Sequence, residues 1–173
     1  YKLYVAIADV SFYVDEDSYV DKIALANSFS IYLDQSIPML PHELSDDLCS
    51  LKPNVNRMAV VCEIVINQIG IVKSYKFYES IIKSKKRFTY DEVNRIIKNN
   101  FESETDFKFL LKTLHELSLK LNIERVNNGA LLFNHSKGFF SAERVIEELM
   151  LIANKSVAIF LHTKSKKNSI IFR

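Results

Sequence analysis

The sequence carries no stretch that is both long and apolar enough to span a bilayer. Its longest apolar runs, Met58 to Ile66 and Leu149 to Ala153, are too short or too interrupted. No basic segment followed by an apolar one marks a secretory signal. Cysteine is scarce. Cys49 and Cys62 have no partner at metal-ligand spacing and read as reduced, buried cysteines of a cytoplasmic protein. His42, His115, His135 and His162 are scattered and compose no zinc or triad pattern. Charge of one sign is also lacking. The net value of +2 is too small to imply a nucleic-acid partner by itself. There is no internal repeat and no low-complexity segment.

What remains is a chain of ordinary composition. With 173 residues, 48% hydrophobic and 25% charged, it fits one domain able to bury a core. Lys83, Lys85, Lys86 and Arg87 form one basic run, and Lys164, Lys166 and Lys167 another. Each reads as a solvated loop before it reads as a phosphate track. The chain opens directly on an apolar strand, Leu3 to Asp9, without an initiator Met. Residue 1 is therefore expected to lie inside a longer native protein.

Periodicity and turn chemistry give the remaining elements. Residues 15–33 begin acidic, turn apolar at helical spacing, and end extended at Ser30-Ile31-Tyr32-Leu33. Pro38 and Pro41 bracket a stiff loop, because proline fixes φ and restricts its predecessor. A short helix is predicted over His42 to Leu51. Two long strands, Met58 to Ile66 and Ile71 to Ile82, meet at a turn where Gly70 supplies the required conformation. Thr89 and Glu92 form a capping box. Phe107, Leu110, Leu111, Leu114, Leu117 and Leu121 make an amphipathic stripe. Ser141 is placed to cap a last helix whose centre is apolar nearly all round, and which is therefore expected to be buried. The fold class is α+β: a mixed, largely antiparallel sheet with packed helices.

One stretch goes beyond pattern. Ser30-Ile31-Tyr32-Leu33, Ile37-Pro38-Met39-Leu40-Pro41 and Leu44-Ser45-Asp46-Asp47-Leu48-Cys49-Ser50-Leu51 follow one another in order. Around them lie Val5-Ala6-Ile7-Ala8-Asp9-Val10-Ser11, Asn54-Val55-Asn56-Arg57, Phe88-Thr89-Tyr90-Asp91-Glu92-Val93 and residues 145–154, V-I-E-E-L-M-L-I-A-N. Together these resemble the RNase II/RNase R family of 3′→5′ exoribonucleases, in order and over nearly the whole chain. The resemblance implies part of a single catalytic (RNB) domain that processively hydrolyses RNA to nucleoside 5′-monophosphates. It also implies Mg²⁺ as cofactor, the 3′ end of single-stranded RNA as partner, no membrane, and a monomer.

The same resemblance marks what is missing. The family holds two metal ions about 4 Å apart on clustered carboxylates, with a D-x-x-x-x-x-D-x-D-D motif just ahead of the V-A-I-A-D strand. These 173 residues contain no such motif. Asp15, Glu16, Asp17 and Asp21 sit where a strand hands over to a helix and read as caps and turns. Asp46 and Asp47 read likewise. No metal ligand and no catalytic residue is therefore assigned. Asn27 stands where the family has an arginine, and the segment from Asn134 to Phe140 is shorter than the family's. The family's cold-shock and S1 domains lie outside the sequence. A split or decayed gene product that at most binds single-stranded RNA is the alternative reading.

Four residues carry the RNA expectations. By family position, Tyr32 stacks on the 3′-terminal base, and Phe133 closes the other end of the stacked nucleotides. Stacking suits a processive enzyme because every base has a π-face. The competing account is that both are core aromatics. Glu147, on the most apolar helix, is implied to contact a ribose, with Tyr90 working beside it. A carboxylate buried there needs donors, and a structural ion pair with Arg144 is the competing account.

Overall fold

The computed structural model describes residues 1–33, 36–102, 106–130 and 140–164. Its elements are β1 (Lys2–Ala8), α1 (Tyr19–Asn27), β2 (Ile31–Tyr32), β3 (Ser36–Ile37), a π-helical segment (Glu43–Leu48), β4 (Asn56–Ile66), β5 (Val72–Lys83), α2 (Tyr90–Lys98), α3 (Lys108–Asn127) and α4 (Ala142–Lys164). The α+β expectation holds. Among the described residues no helix is long and apolar enough to cross a membrane.

β4 lies between β1 and β5. Tyr1 and Ile66 exchange backbone hydrogen bonds of 2.7 and 3.0 Å, and the Asp9 amide donates to the Met58 carbonyl at 3.1 Å. That progression is antiparallel. β4 and β5 join through the Asn67–Gly70 turn. The Asn67 side chain accepts from the Ile69 and Ile71 amides at 3.1 and 2.9 Å. Gly70 is required twice over. Its φ is +92°, and a Cβ there would meet the Lys120 carbonyl oxygen at 3.0 Å. The central position of β4 explains its burial: Ala59, Val61, Cys62, Ile64 and Ile66 are all inside.

The chain divides into two compact units. The first comprises Tyr1–Val5, Cys62–Lys76 and Phe88–Arg173. In it α3 buries Leu111, Leu117 and Leu121, and α4 buries Val145, Leu149 and Ala153, each at helical spacing. Ile96, Phe101 and Leu111 form a further cluster lined by Phe88 and Phe107. Phe101 sits there with φ +60°, a strained backbone for a bulky residue that its buried ring holds in place. Two expectations need correction. α4 is not buried all round: Ile146, Met150 and Leu151 are exposed, because its packing face is one stripe, Val145, Glu148, Leu149, Ala153 and Ser156. Leu110 of the α3 stripe is exposed for the same reason.

The second unit comprises Ala6–Val61 and Phe77–Arg87. Asp9 is buried, and its carboxylate accepts from the Ser11 hydroxyl at 2.6 Å and the Phe12 amide at 3.2 Å. Ser18 caps α1 through the Asp21 amide, and Asp21 accepts in return from the Asp17 amide. The acidic run is thus a cap. The predicted short helix is present with π geometry, the Cys49 amide reaching back five residues to the Leu44 carbonyl at 2.8 Å. Cys62 is buried as expected, but Cys49 is only half-buried. Burial pushes both thiols up.

Candidate RNA-contact residues

Tyr32 ends the two-residue strand β2 and pairs with Ser36 of β3, while Ile31 pairs with Ile37. So short a ladder needs outside support. It comes from the far side of the hairpin, where the Met39 amide donates to the Ser30 hydroxyl at 3.0 Å. The Asn27 side chain, at the position of the family's arginine, donates to the Met39 carbonyl at 3.4 Å. The hairpin thus holds Tyr32 with the residue 80% exposed. The core-aromatic account of Tyr32 is excluded. Phe29, Leu33 and Ile37 beside it are exposed too. Phe133 lies outside the described residues.

After the hairpin in the chain, the π-helical segment is clamped by charge. Asp47 accepts from Lys52 at 2.7 Å and from Arg57, at the start of β4, at 2.9 Å. Arg57 also donates to the Ser50 carbonyl at 3.1 Å. The Lys52 hydrogen bond is the main cause holding the Asp47 carboxyl below its ordinary range. Asp46 is held low chiefly by its hydrogen bond with His42, at 2.7 Å. Both aspartates are engaged in pairs, Asp46 with His42 and Asp47 with Lys52 and Arg57.

In the first unit, Tyr90 is the first residue of α2, which Thr89 caps by accepting from the Glu92 amide at 3.2 Å. Tyr90 is half exposed and borders a cleft of about 310 Å³ walled by Val93, Leu114, His115, Val145 and Ile146. Glu147 follows Ile146 on α4 and is exposed, not buried as expected. The buried acid is its neighbour. Glu148 is 3% exposed and accepts from the Arg125 guanidinium at 2.6 and 3.1 Å and from Asn122 at 2.8 Å. Adjacent helical residues point about 100° apart, so only one of the two acids can face α3. The expected partner of Glu147, Arg144, instead lies over the Phe140 ring at 4.6 Å. With no donor required by burial, the Glu147 carboxylate remains available to solvent.

Two roles were not foreseen. Asn94 of α2 accepts from the Ala142 amide at 2.8 Å and donates to the Glu143 carboxylate at 3.2 Å, so α2 caps α4. Ser141 contributes its carbonyl to the Val145 amide. Arg125, in the last turn of α3, anchors the buried acid. Neither role has a local signal, since the partners are 48 and 23 residues apart.

The full sequence, residues 1–173, matches the RNB domain. The chain belongs to the RNB domain family. Ribonuclease R of Vibrio parahaemolyticus is 41% identical over 155 residues, covering 86% of this chain and 19% of that protein. Escherichia coli Ribonuclease R is 36% identical over 194 aligned positions, covering 100% of this chain and 24% of that protein. The Mycoplasma genitalium RNase R structure in complex with ribose methylated single-stranded RNA superposes with a TM-score of 0.85 at 38% identity, covering 94% of this chain and 28% of that one. This RNB chain therefore spans between about a fifth and just over a quarter of the length of these relatives. The match to Escherichia coli runs over more positions than the chain has residues, so that relative carries residues this one lacks between the matched ends.

Among the described residues, no group of three or more His, Cys, Asp or Glu could hold a metal ion. They do not fit a two-metal centre, and no hydrolytic step is assigned to them.

Proposed function

We propose that this RNB chain is part of the catalytic domain of a cytoplasmic, monomeric 3′→5′ exoribonuclease. In the complete protein, that domain processively hydrolyses single-stranded RNA to nucleoside 5′-monophosphates with Mg²⁺. The observation that carries the proposal is the family match over all 173 residues, at more than a third identity to proteins named Ribonuclease R. The chain's own contribution is grip. Tyr32, held out on the β2–β3 hairpin, stacks on the 3′-terminal base whatever its identity. Glu147, exposed and unburdened by a burial requirement, accepts from a ribose 2′-hydroxyl, and Tyr90 adds a second polar contact. The 2′-hydroxyl is the group by which a protein tells RNA from DNA. Phe133 is proposed to close the far end of the stacked nucleotides.

The test separates grip from hydrolysis. The purified 173-residue chain is expected to bind a labelled single-stranded RNA 3′ end in preference to the same DNA. It is expected to release no nucleotide with Mg²⁺ present. Magnesium-dependent release of monophosphates would overturn the division of labour, and equal affinity for RNA and DNA would overturn the ribose contact.

A further inference from the structure

We propose that Asn94 is a positioning residue that sets the spacing between Tyr90 and Glu147, and so the strength of ribose discrimination. This rests on the ribose contact proposed above. Asn94 is half-buried between α2 and α4 and uses both ends of its amide. Its oxygen takes the Ala142 amide at 2.8 Å, and its nitrogen spans both oxygens of the Glu143 carboxylate at 3.3 and 3.2 Å.

Each end of this bridge lies one helical turn from an RNA-contact residue. Tyr90 precedes Asn94 by four residues on α2, and Glu147 follows Glu143 by four on α4. Four residues of helix advance about 6 Å and return to nearly the same face. Tyr90 and Ile146, the neighbour of Glu147, also wall the same cleft. The two helices bearing the contact groups are therefore fastened one turn away from both groups. An amide is the group suited to the joint. It must accept from a backbone N–H and donate to a carboxylate at once, which neither a carboxylate nor an ammonium can do. The Glu143 carboxyl is held below its ordinary range, first by its own amide and then by Ser141 and Asn94, so the acceptor stays charged at neutral pH.

The experiment measures dissociation constants of the 173-residue chain for matched RNA and DNA 3′ ends by fluorescence anisotropy. Asn94→Ala is expected to narrow the RNA-to-DNA affinity ratio by about three- to tenfold, the loss of one well-placed hydrogen bond. Affinity for DNA should hold within about twofold. Asn94→Asp keeps the acceptor but sets two carboxylates together, and should narrow the ratio as well. Adding Glu143→Gln to Asn94→Asp returns a donor to the joint and should restore the ratio. Equal loss of RNA and DNA affinity, or no rescue in the double variant, would overturn the inference by making Asn94 a cap and nothing more. Tyr90→Phe and Glu147→Gln separate the two levels. If they narrow the ratio and Asn94→Ala does not, this inference alone fails. If they too leave the ratio unchanged, or the native chain shows no preference, the ribose contact fails and the inference falls with it.

Discussion

In the unit that holds α2, α3 and α4, charge is buried and partnered: Glu148 lies inside against Arg125 and Asn122. In the unit that holds β2 and β3, apolar groups stand out instead: Tyr32, Phe29 and Leu33 are in solvent around a hairpin of two-residue strands. A carboxylate taken from water needs compensation, and here it has found it within the fold. An exposed aromatic that the chain has gone to the trouble of holding, through Ser30 and Asn27, has found nothing within the fold to cover it. The lesson is that satisfied groups report architecture, and unsatisfied but well-held groups report what the protein touches. Glu147 and Glu148 show the same contrast within two consecutive residues.

The largest expected effect breaks the buried side of that contrast. Arg125→Met leaves the Glu148 carboxylate buried without its main partner and should cost about 3–5 kcal/mol. Urea unfolding, with hydrogen exchange localising the loss to α3 and α4, checks it. Replacing Arg125 and Glu148 together by apolar residues should recover most of that loss, since an apolar pair of similar volume removes the uncompensated charge.

The exposed side is broken by Tyr32→Ala. Stability should move by less than about 0.5 kcal/mol, as at other surface positions. Binding of a single-stranded RNA 3′ end should weaken by about 1–3 kcal/mol, read by anisotropy. A large drop in melting temperature with affinity unchanged would reverse the assignment. A smaller effect sharpens the frame around Tyr90. Thr89→Ala removes the cap of α2 and should destabilise by about 1 kcal/mol, measured by thermal unfolding, while Thr89→Ser should be nearly silent.

The smallest effect is acid sensitivity. Burial pushes the Glu63 carboxyl up, but hydrogen bonds from Lys2 and Lys76 outweigh it and hold the carboxyl below its ordinary 4.5. A depressed carboxyl adds stability that is fully present above the unfolded value and fades as pH falls through the folded one. Glu63→Gln should therefore flatten the stability profile below about pH 4.5 and leave its slope at neutral pH unchanged, as followed by circular dichroism.

How much of this was legible in the residues depends on distance along the chain. β1, the β4–β5 hairpin and the Thr89 cap are local devices, written in alternation, in Asn67 and Gly70, and in a side chain three residues from its amide. Tyr32 was placed by an irregular motif, and only the structure could show it in solvent. The choice between Glu147 and Glu148 turns on which face meets Arg125, and a periodicity that is apolar nearly all round cannot specify a face. Asn94 was invisible because an asparagine in a helix has no pattern announcing that its amide caps another helix 48 residues later.

The π-helical turn at Glu43–Leu48 carries one more consequence. A π turn holds about one residue more than an α turn in the same length. Deleting a single residue there would let the segment wind as ordinary α-helix. The flanking backbone would keep its phase, because an α turn of that length needs one residue fewer, and the hydrogen bond from the Cys49 amide to the Leu44 carbonyl would pass to a neighbouring pair. Only the removed residue would be lost, and if that residue is Asp47 its pairs with Lys52 and Arg57 go with it. The segment behaves as an insert that can shed a residue elsewhere without shifting the chain's entry into β4.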